Sequence, residues 1–169
     1  MNLHPEHLAD LHQSGLTDKT IEVMGVRSAI PHDVPGFEDG LYAKVNSIME
    51  IPYPTVPGFS RYKPFPAIGE IRYYQPRGTG NHLYILPPVV ELLSDFRRPL
   101  AFIEGEKKAA AGWQHGQNAI GFSGIWNWKE TDNWKGIQEL QQIPFSRRGV
   151  EIMPDSDTWM RDDLQQAIY

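Results

Sequence analysis

Apolar and polar positions change their rhythm twice along the 169-residue chain. Near the start, PEHLADLHQSG places Leu8 and Leu11 three apart and stops on Gly15, and LTDKTIEVMG offers Thr17 as an N-cap and Gly25 as a stop. Two short helices in a hairpin are predicted, with packing against the next domain as their simplest role. From Ala29 to Pro88, proline or glycine recurs every few residues between the runs SIMEIPY, GFSRYKPF, EIRYYQP and HLYILPP. That pattern predicts short strands and tight turns, and the density of Ile, Leu, Phe and Tyr supplies apolar surface that a disordered proline-rich segment lacks. After Arg98 come PLAFIEG, EKKAAAGWQHG, NAIGFSG and, past an insertion, GVEIMPDSD and TWMRDDLQQAIY. Strand, helix, strand, insertion, strand, helix is the order of a parallel α/β sheet. The predicted fold class is therefore α/β, with a smaller α+β subdomain over 1–95 and a parallel sheet flanked by helices over 96–169, interrupted by an insertion at 125–148.

Composition narrows the chemistry. With 40% hydrophobic and 22% charged residues the chain has the profile of an ordinary globular protein. No run approaches the roughly 18 apolar residues of a membrane-spanning helix, and the start MNLHPEHLAD lacks the basic and apolar segments of a leader, so a cytoplasmic protein without a membrane partner is expected. The absence of cysteine excludes disulfides, thiolate zinc sites and thiol nucleophiles, leaving oxygen and imidazole as metal ligands. A net charge of −5 argues against a wholly basic nucleic-acid binder, yet Gly58 to Arg98 holds six cations against three anions.

In an open parallel sheet, functional groups collect at the carboxyl ends of the strands, where helix N-termini point their positive dipoles. PLAFIEG ends at Glu104-Gly105, NAIGFSG in a Gly121/Gly124 turn, and GVEIMPDSD in Asp155-Ser156-Asp157. Two carboxylates at i and i+2 can reach one cation, and a third from a neighbouring strand completes a hard oxygen site. A sparse acidic cluster without histidine suits magnesium, or manganese, acting on phosphates better than zinc hydrolysis. Taken singly, Asp-x-Asp reads as a solvated turn and Glu-Gly as a strand exit; the ordered combination is what points to a shared site.

That combination resembles the Toprim domain of DnaG-type primases, phage primase-helicases, type IA and II topoisomerases and OLD-family nucleases, over roughly the last 75 residues. The resemblance implies that Glu104, within FIEGEKKA, acts as general acid or base, and that Asp155 and Asp157, within MPDSD, are magnesium ligands. Upstream, GLTDKTIEVMGV, IPYP, FSRYKPF and RYYQPRGTGNHLYILP echo the order of a primase core, while EGEKKA and GFSGIWNW resemble a Toprim-like domain of unknown function in phage and plasmid replication proteins, often ahead of a superfamily 3 type helicase. What this implies is a mobile-element DNA replication protein with magnesium-dependent, primase-type nucleotidyl transfer, and as partners a single-stranded DNA template, nucleotides and a helicase. An OLD-like nuclease and a catalytically silent module that binds nucleic acid or docks a helicase are the alternatives. Three features depart from the family. Lys108 stands where a further aspartate is common. The stretch Ile125–Arg148, with Trp126, Trp128 and Trp134, is longer than the usual link and reads as a lid or a partner surface. The chain ends at Tyr169, before the family's further strand and helix, so the sheet is expected to be truncated.

Other residues carry two readings each. Arg61, Lys63, Arg72 and Arg77 alternate with Tyr62, Phe65, Tyr73 and Tyr74, which suits a single strand, cations on phosphates and rings under bases; the plainer reading is a half-buried strand pair with a charged outer face. Lys107 and Lys108 open the helix after Glu104 either as a solvated face or as phosphate neutralisers. The three tryptophans stack on bases or anchor a core. His4, His7, His12, His32, His82 and His115 show no ligand spacing and are expected at the surface. RGTGN lacks the Lys-Ser/Thr of a phosphate loop, which rules out an ATPase of that type.

Overall fold

The computed structural model describes residues 3–37, 41, 43–124, 126–127, 137–160 and 162, the side chains of Asp157 and Trp159 excepted. The chain divides into two compact units, Met1–Gly80 and Asn81–Tyr169.

The first unit opens with the expected hairpin, α1 (Pro5–Gln13) and α2 (Asp18–Met24). Thr17 accepts a hydrogen bond from the Thr20 backbone N–H at 3.3 Å, and Gly25 ends α2 at φ 64°, a conformation that costs a side chain and suits glycine. The buried pair on α1 is His7 and Leu11, one turn apart, rather than Leu8 and Leu11. Three strands follow, β1 (Arg27–Ala29), β2 (Ser47–Pro52) and β3 (Ser60–Phe65), in the antiparallel order β1-β2-β3. On one face Ile48 and Tyr62 join Val34 and Phe37 in a core cluster. The other face carries Ser47, Met49 and Ile51, all buried, opposite Phe65, Lys63 and Arg61. The run EIRYYQP is not a strand: its ladder pairing consists of isolated bridges, Ile68 with Ile71 and Tyr74 with Tyr62.

The second unit contains β4 (Leu83–Ile85), α3 (Pro87–Leu92), β5 (Leu100–Glu104), α4 (Glu106–Gln114), β6 (Asn118–Phe122), α5 (Gln138–Gln142) and β7 (Val150–Met153). Its sheet has the order β4-β6-β5-β7, with β4 antiparallel to β6 and with β6 and β7 both parallel to β5. β6 is buried at every position and β5 at all but its last, the pattern of strands covered on both faces. Two glycines let α4 lie close on the sheet. A Cβ at Gly112 would stand 2.7 Å from Ile103 Cδ1, and one at Gly121 would stand 3.0 Å from Tyr84 Cβ and 3.1 Å from Ala109 Cβ. Arg148, 9% exposed, donates to the carbonyls of Leu93 at 2.8 Å and of Leu92 and Asp95, closing the C-terminal end of α3 from the far side of the insertion.

The chain is thus mixed α/β, a small antiparallel sheet followed by a mostly parallel four-stranded sheet with helices. The division falls at Gly80/Asn81 and not at the expected 95/96, because β4 pairs with β6 and draws its segment into the second unit. Past β7 the residues Ser156–Met160 form a 3-10 turn where the sequence predicts an α-helix; positions 163–169, the rest of that expected helix, lie outside the described residues. Among the described residues no helix is long and apolar enough to cross a membrane.

Candidate functional site

The sheet order places a topological switch at β5, since the chain leaves it toward β6 on one side and returns to β7 on the other. In open α/β sheets the crevice beyond the carboxyl ends at such a point is where ligands bind. Glu104 is the last residue of β5 and Asp155 lies two residues beyond the end of β7, with β5 and β7 in parallel register from Leu100↔Val150 to Ile103↔Met153. The two are brought together: the Glu104 carboxylate accepts the Asp155 backbone N–H through Oε2 at 3.0 Å.

Gly105 turns the chain between β5 and α4. Its φ of 94° is costly for any residue with a side chain, its N–H donates to the Phe122 carbonyl at 2.8 Å, and its carbonyl accepts the first helical bond from Ala109 at 3.0 Å. The turn is locked between β6 and α4, so the Glu104 carboxylate leaves the sheet in a fixed direction. Asp155 in turn accepts the Thr158 N–H on its backbone carbonyl at 3.0 Å, which winds the 3-10 turn and keeps its carboxylate at the rim.

Lys108, in the first turn of α4, donates from Nζ to Asp155 Oδ1; the two side chains are 57% and 43% exposed. Lys108, at the position where the Toprim pattern commonly has aspartate, therefore makes a contact of its own: its ammonium sits on one of the carboxylates expected to bind metal. The side chain of Asp157, the third expected ligand, lies outside the described residues, as do Trp128 and Trp134. Among the described residues no three His, Asp or Glu side chains gather as a metal cage. Two carboxylates from adjacent strands nonetheless match the sparse donor set of magnesium, which keeps waters and phosphate oxygens for its remaining positions. Glu104 and Asp155 are oxygen donors of the type a hard divalent ion takes, and the Lys108 ammonium is paired with one of them.

The basic residues divide. Lys63 is not an outward-facing cation: its side chain, 19% exposed, is paired with Asp10 of α1, and its ammonium lies 5.0 Å from the Phe65 ring centroid. Arg61 shares that helix-bearing face and lies 5.1 Å over the Tyr73 ring. Arg61, Lys63 and Phe65 share the face of β3 on which α1 packs, with Tyr62 on the other face, so the charged-outer-face reading does not hold for Lys63. Arg72 and Arg77 are exposed, Lys107 is half-buried and Lys108 exposed.

Several residues escape a reading of the sequence alone. His7 is not at the surface; it is fully buried, with Nδ1 2.9 Å from Ser28 Oγ and Nε2 3.0 Å from Ser47 Oγ, while Ser47 donates to Glu6 Oε2 at 3.0 Å. Burial, aided by neighbouring His4, lowers its pKa from 6.5 to about 4. His82 is only partly exposed, its Nδ1 2.7 Å from Glu139 Oε1, which ties α5 of the insertion to the start of β4. Glu106, 2% exposed at the start of α4, lies close enough to the buried Tyr84 for its charge, after burial itself, to raise the Tyr84 phenol above its ordinary range. The one available signal is its place at the first helical position, where an acid suits the dipole. A concavity of ≈ 400 Å³ lined by Asp18, Lys19, Ile21, Glu22, Gly25 and Val26 includes none of the candidate residues.

Residues 91–168 match the family model described as Domain of unknown function (DUF3854). That stretch runs from α3 through β5, α4, β6, α5 and β7, so it includes Glu104, Lys108, Asp155 and Asp157 and leaves out Arg61, Lys63, Arg72 and Arg77. No curated protein matches the chain, and no solved structure does.

Proposed function

We propose that the second unit is a Toprim-like module in which Glu104, Asp155 and Asp157 hold a magnesium or manganese ion for phosphodiester chemistry on DNA, in a primase-like replication protein of a phage or plasmid. The observation that supports this most is the 3.0 Å hydrogen bond by which Glu104 reaches Asp155 across the β5–β7 switch point. A bound divalent ion supplies charge neutralisation on phosphate oxygens and orients the attacking group. The chain's own residues do the rest. Glu104 fixes the Asp155 backbone and, being half-buried at the rim, takes or gives a proton at its carboxylate. Lys107 and Lys108 at the N-terminal turn of α4 draw the phosphates, and exposed Arg72 and Arg77 supply further contacts to a single strand in the first unit. The protein works in the cytoplasm, beside a helicase.

A second reading, the catalytically silent module, is favoured by one observation, the Lys108–Asp155 pair, which neutralises an expected ligand without a metal. Manganese titration of the whole protein separates the two. Saturable binding that Asp155→Asn or Glu104→Gln abolishes supports the metal site, whereas titrations indistinguishable from buffer leave the silent module. With metal binding established, extension of a primer or synthesis of oligonucleotides on single-stranded DNA marks the primase-type enzyme, and strand cutting marks a nuclease.

A further inference from the structure

Resting on the metal-holding reading of Glu104 and Asp155, we infer that the Lys108 ammonium is a built-in counter-cation that a divalent ion must displace from Asp155 and that an arriving phosphate draws away, so that metal and phosphate bind cooperatively. Three observations carry it. Lys108 donates directly to Asp155 Oδ1, so ammonium and metal compete for the same oxygen. The pair is open to solvent, 57% and 43% exposed, so it is a weak and exchangeable contact and not a structural anchor. Lys108 is also the third residue of α4, where the helix dipole opposes a positive charge and attracts an anion. Asp155 is what holds the ammonium at that position, and a phosphate at the same helix turn offers it an equivalent partner.

The exchange needs only a swing of the flexible lysine stem. With phosphate absent, Lys108 keeps Asp155 neutralised and the rim has little affinity for a divalent ion. With phosphate at the turn, the ammonium moves onto the phosphate oxygens, the Asp155 carboxylate is left without its counter-cation, and the ion enters against both. By linkage the metal must strengthen phosphate binding by the same factor. Lys108 thereby selects a phosphate-bearing strand as the condition for loading the ion.

The test measures Mn2+ affinity from the free-ion electron paramagnetic resonance signal, with and without an eight-residue oligothymidylate, on the whole chain and its Lys108→Met, Lys108→Arg and Asp155→Asn variants. The expected result is that Lys108→Met binds Mn2+ about threefold more tightly than the natural chain when no oligonucleotide is present, since one weakly held competing cation is gone. Lys108→Arg should remain as weak as the natural chain. The oligonucleotide should raise the natural chain's affinity and leave that of Lys108→Met unchanged. If Lys108→Met binds no more tightly than the natural chain, or the oligonucleotide fails to raise the latter, while Asp155→Asn still loses the ion, the inference is overturned and the metal site stands. If no form binds Mn2+ under either condition, the metal site falls as well.

Discussion

Each unit of the chain contains a lysine on an aspartate, and the two pairs differ in what surrounds them. In the first, Lys63 and Asp10 are 19% and 17% exposed, and the lysine also lies over the Phe65 ring. In the second, Lys108 and Asp155 are 57% and 43% exposed, and the carboxylate belongs to a loop end at the switch point of a parallel sheet. Desolvation makes the first pair part of the packing between α1 and β3, because separating it would leave a charge half-buried and unmatched. Water on both partners makes the second exchangeable. Charge is used for holding in the antiparallel unit and kept available at the rim of the parallel one.

The largest effect that sharpens this contrast concerns the sheets themselves. Ile120 is fully buried in the middle of β6, so Ile120→Ala should cost about 3 kcal/mol in urea unfolding, while Val150→Ala on the exposed edge strand β7 should cost well under 1 kcal/mol. Comparable losses at the two positions would mean that β7 is covered in solution.

Acid should next discriminate the units. His7 is neutral when folded, its pKa near 4, whereas the unfolded chain takes up the proton near 6.5. The unfolded state therefore binds more protons between those values. Stability is complete above about pH 6.5 and falls as the pH drops toward 4, by roughly 3 kcal/mol from this group at about 1.4 kcal/mol per unit. Unfolding curves across that range should show the slope, and His7→Gln should flatten it whatever its own stability. A profile with the same slope in that variant would assign the acid sensitivity elsewhere.

The two lysines give the smaller effects. Lys63→Met should destabilise by about 1 kcal/mol and leave Mn2+ binding unaltered, since Asp10 loses its partner in a half-buried place. Lys108→Met should shift stability by no more than about 0.5 kcal/mol. Thermal melts of the two variants side by side test the ordering. Its reversal would make Lys108 the structural residue and Lys63 the exchangeable one.

Much of the candidate site is legible in local terms. An apolar run followed by Glu104-Gly105, and another followed by Pro154-Asp155, place carboxylates just past strand ends because the strands stop where the apolar residues do. The basic alternation along β3 misleads for a related reason. Period two shows that Arg61, Lys63 and Phe65 share a face, but not that α1 lies on it, and Asp10 is 53 residues away from Lys63. His7 escapes notice likewise, since its serine partners come from β2 and from β1, 40 and 21 residues further along.

The sequence by itself determined the elements: the caps Thr17 and Gly25 bound a helix, the continuous apolar runs of β5 and β6 demand burial on both faces, and glycine at 105 permits a turn that other residues resist. These are short-range matters of backbone freedom and hydrophobic period, decided within a few residues. Only the tertiary structure decided that β5 lies between β6 and β7, that Glu104 therefore meets the Asp155 backbone, and that Lys108 reaches the Asp155 carboxylate. Strand order and partner choice follow from packing the whole sheet at once, where segments some fifty residues apart compete for the same neighbours.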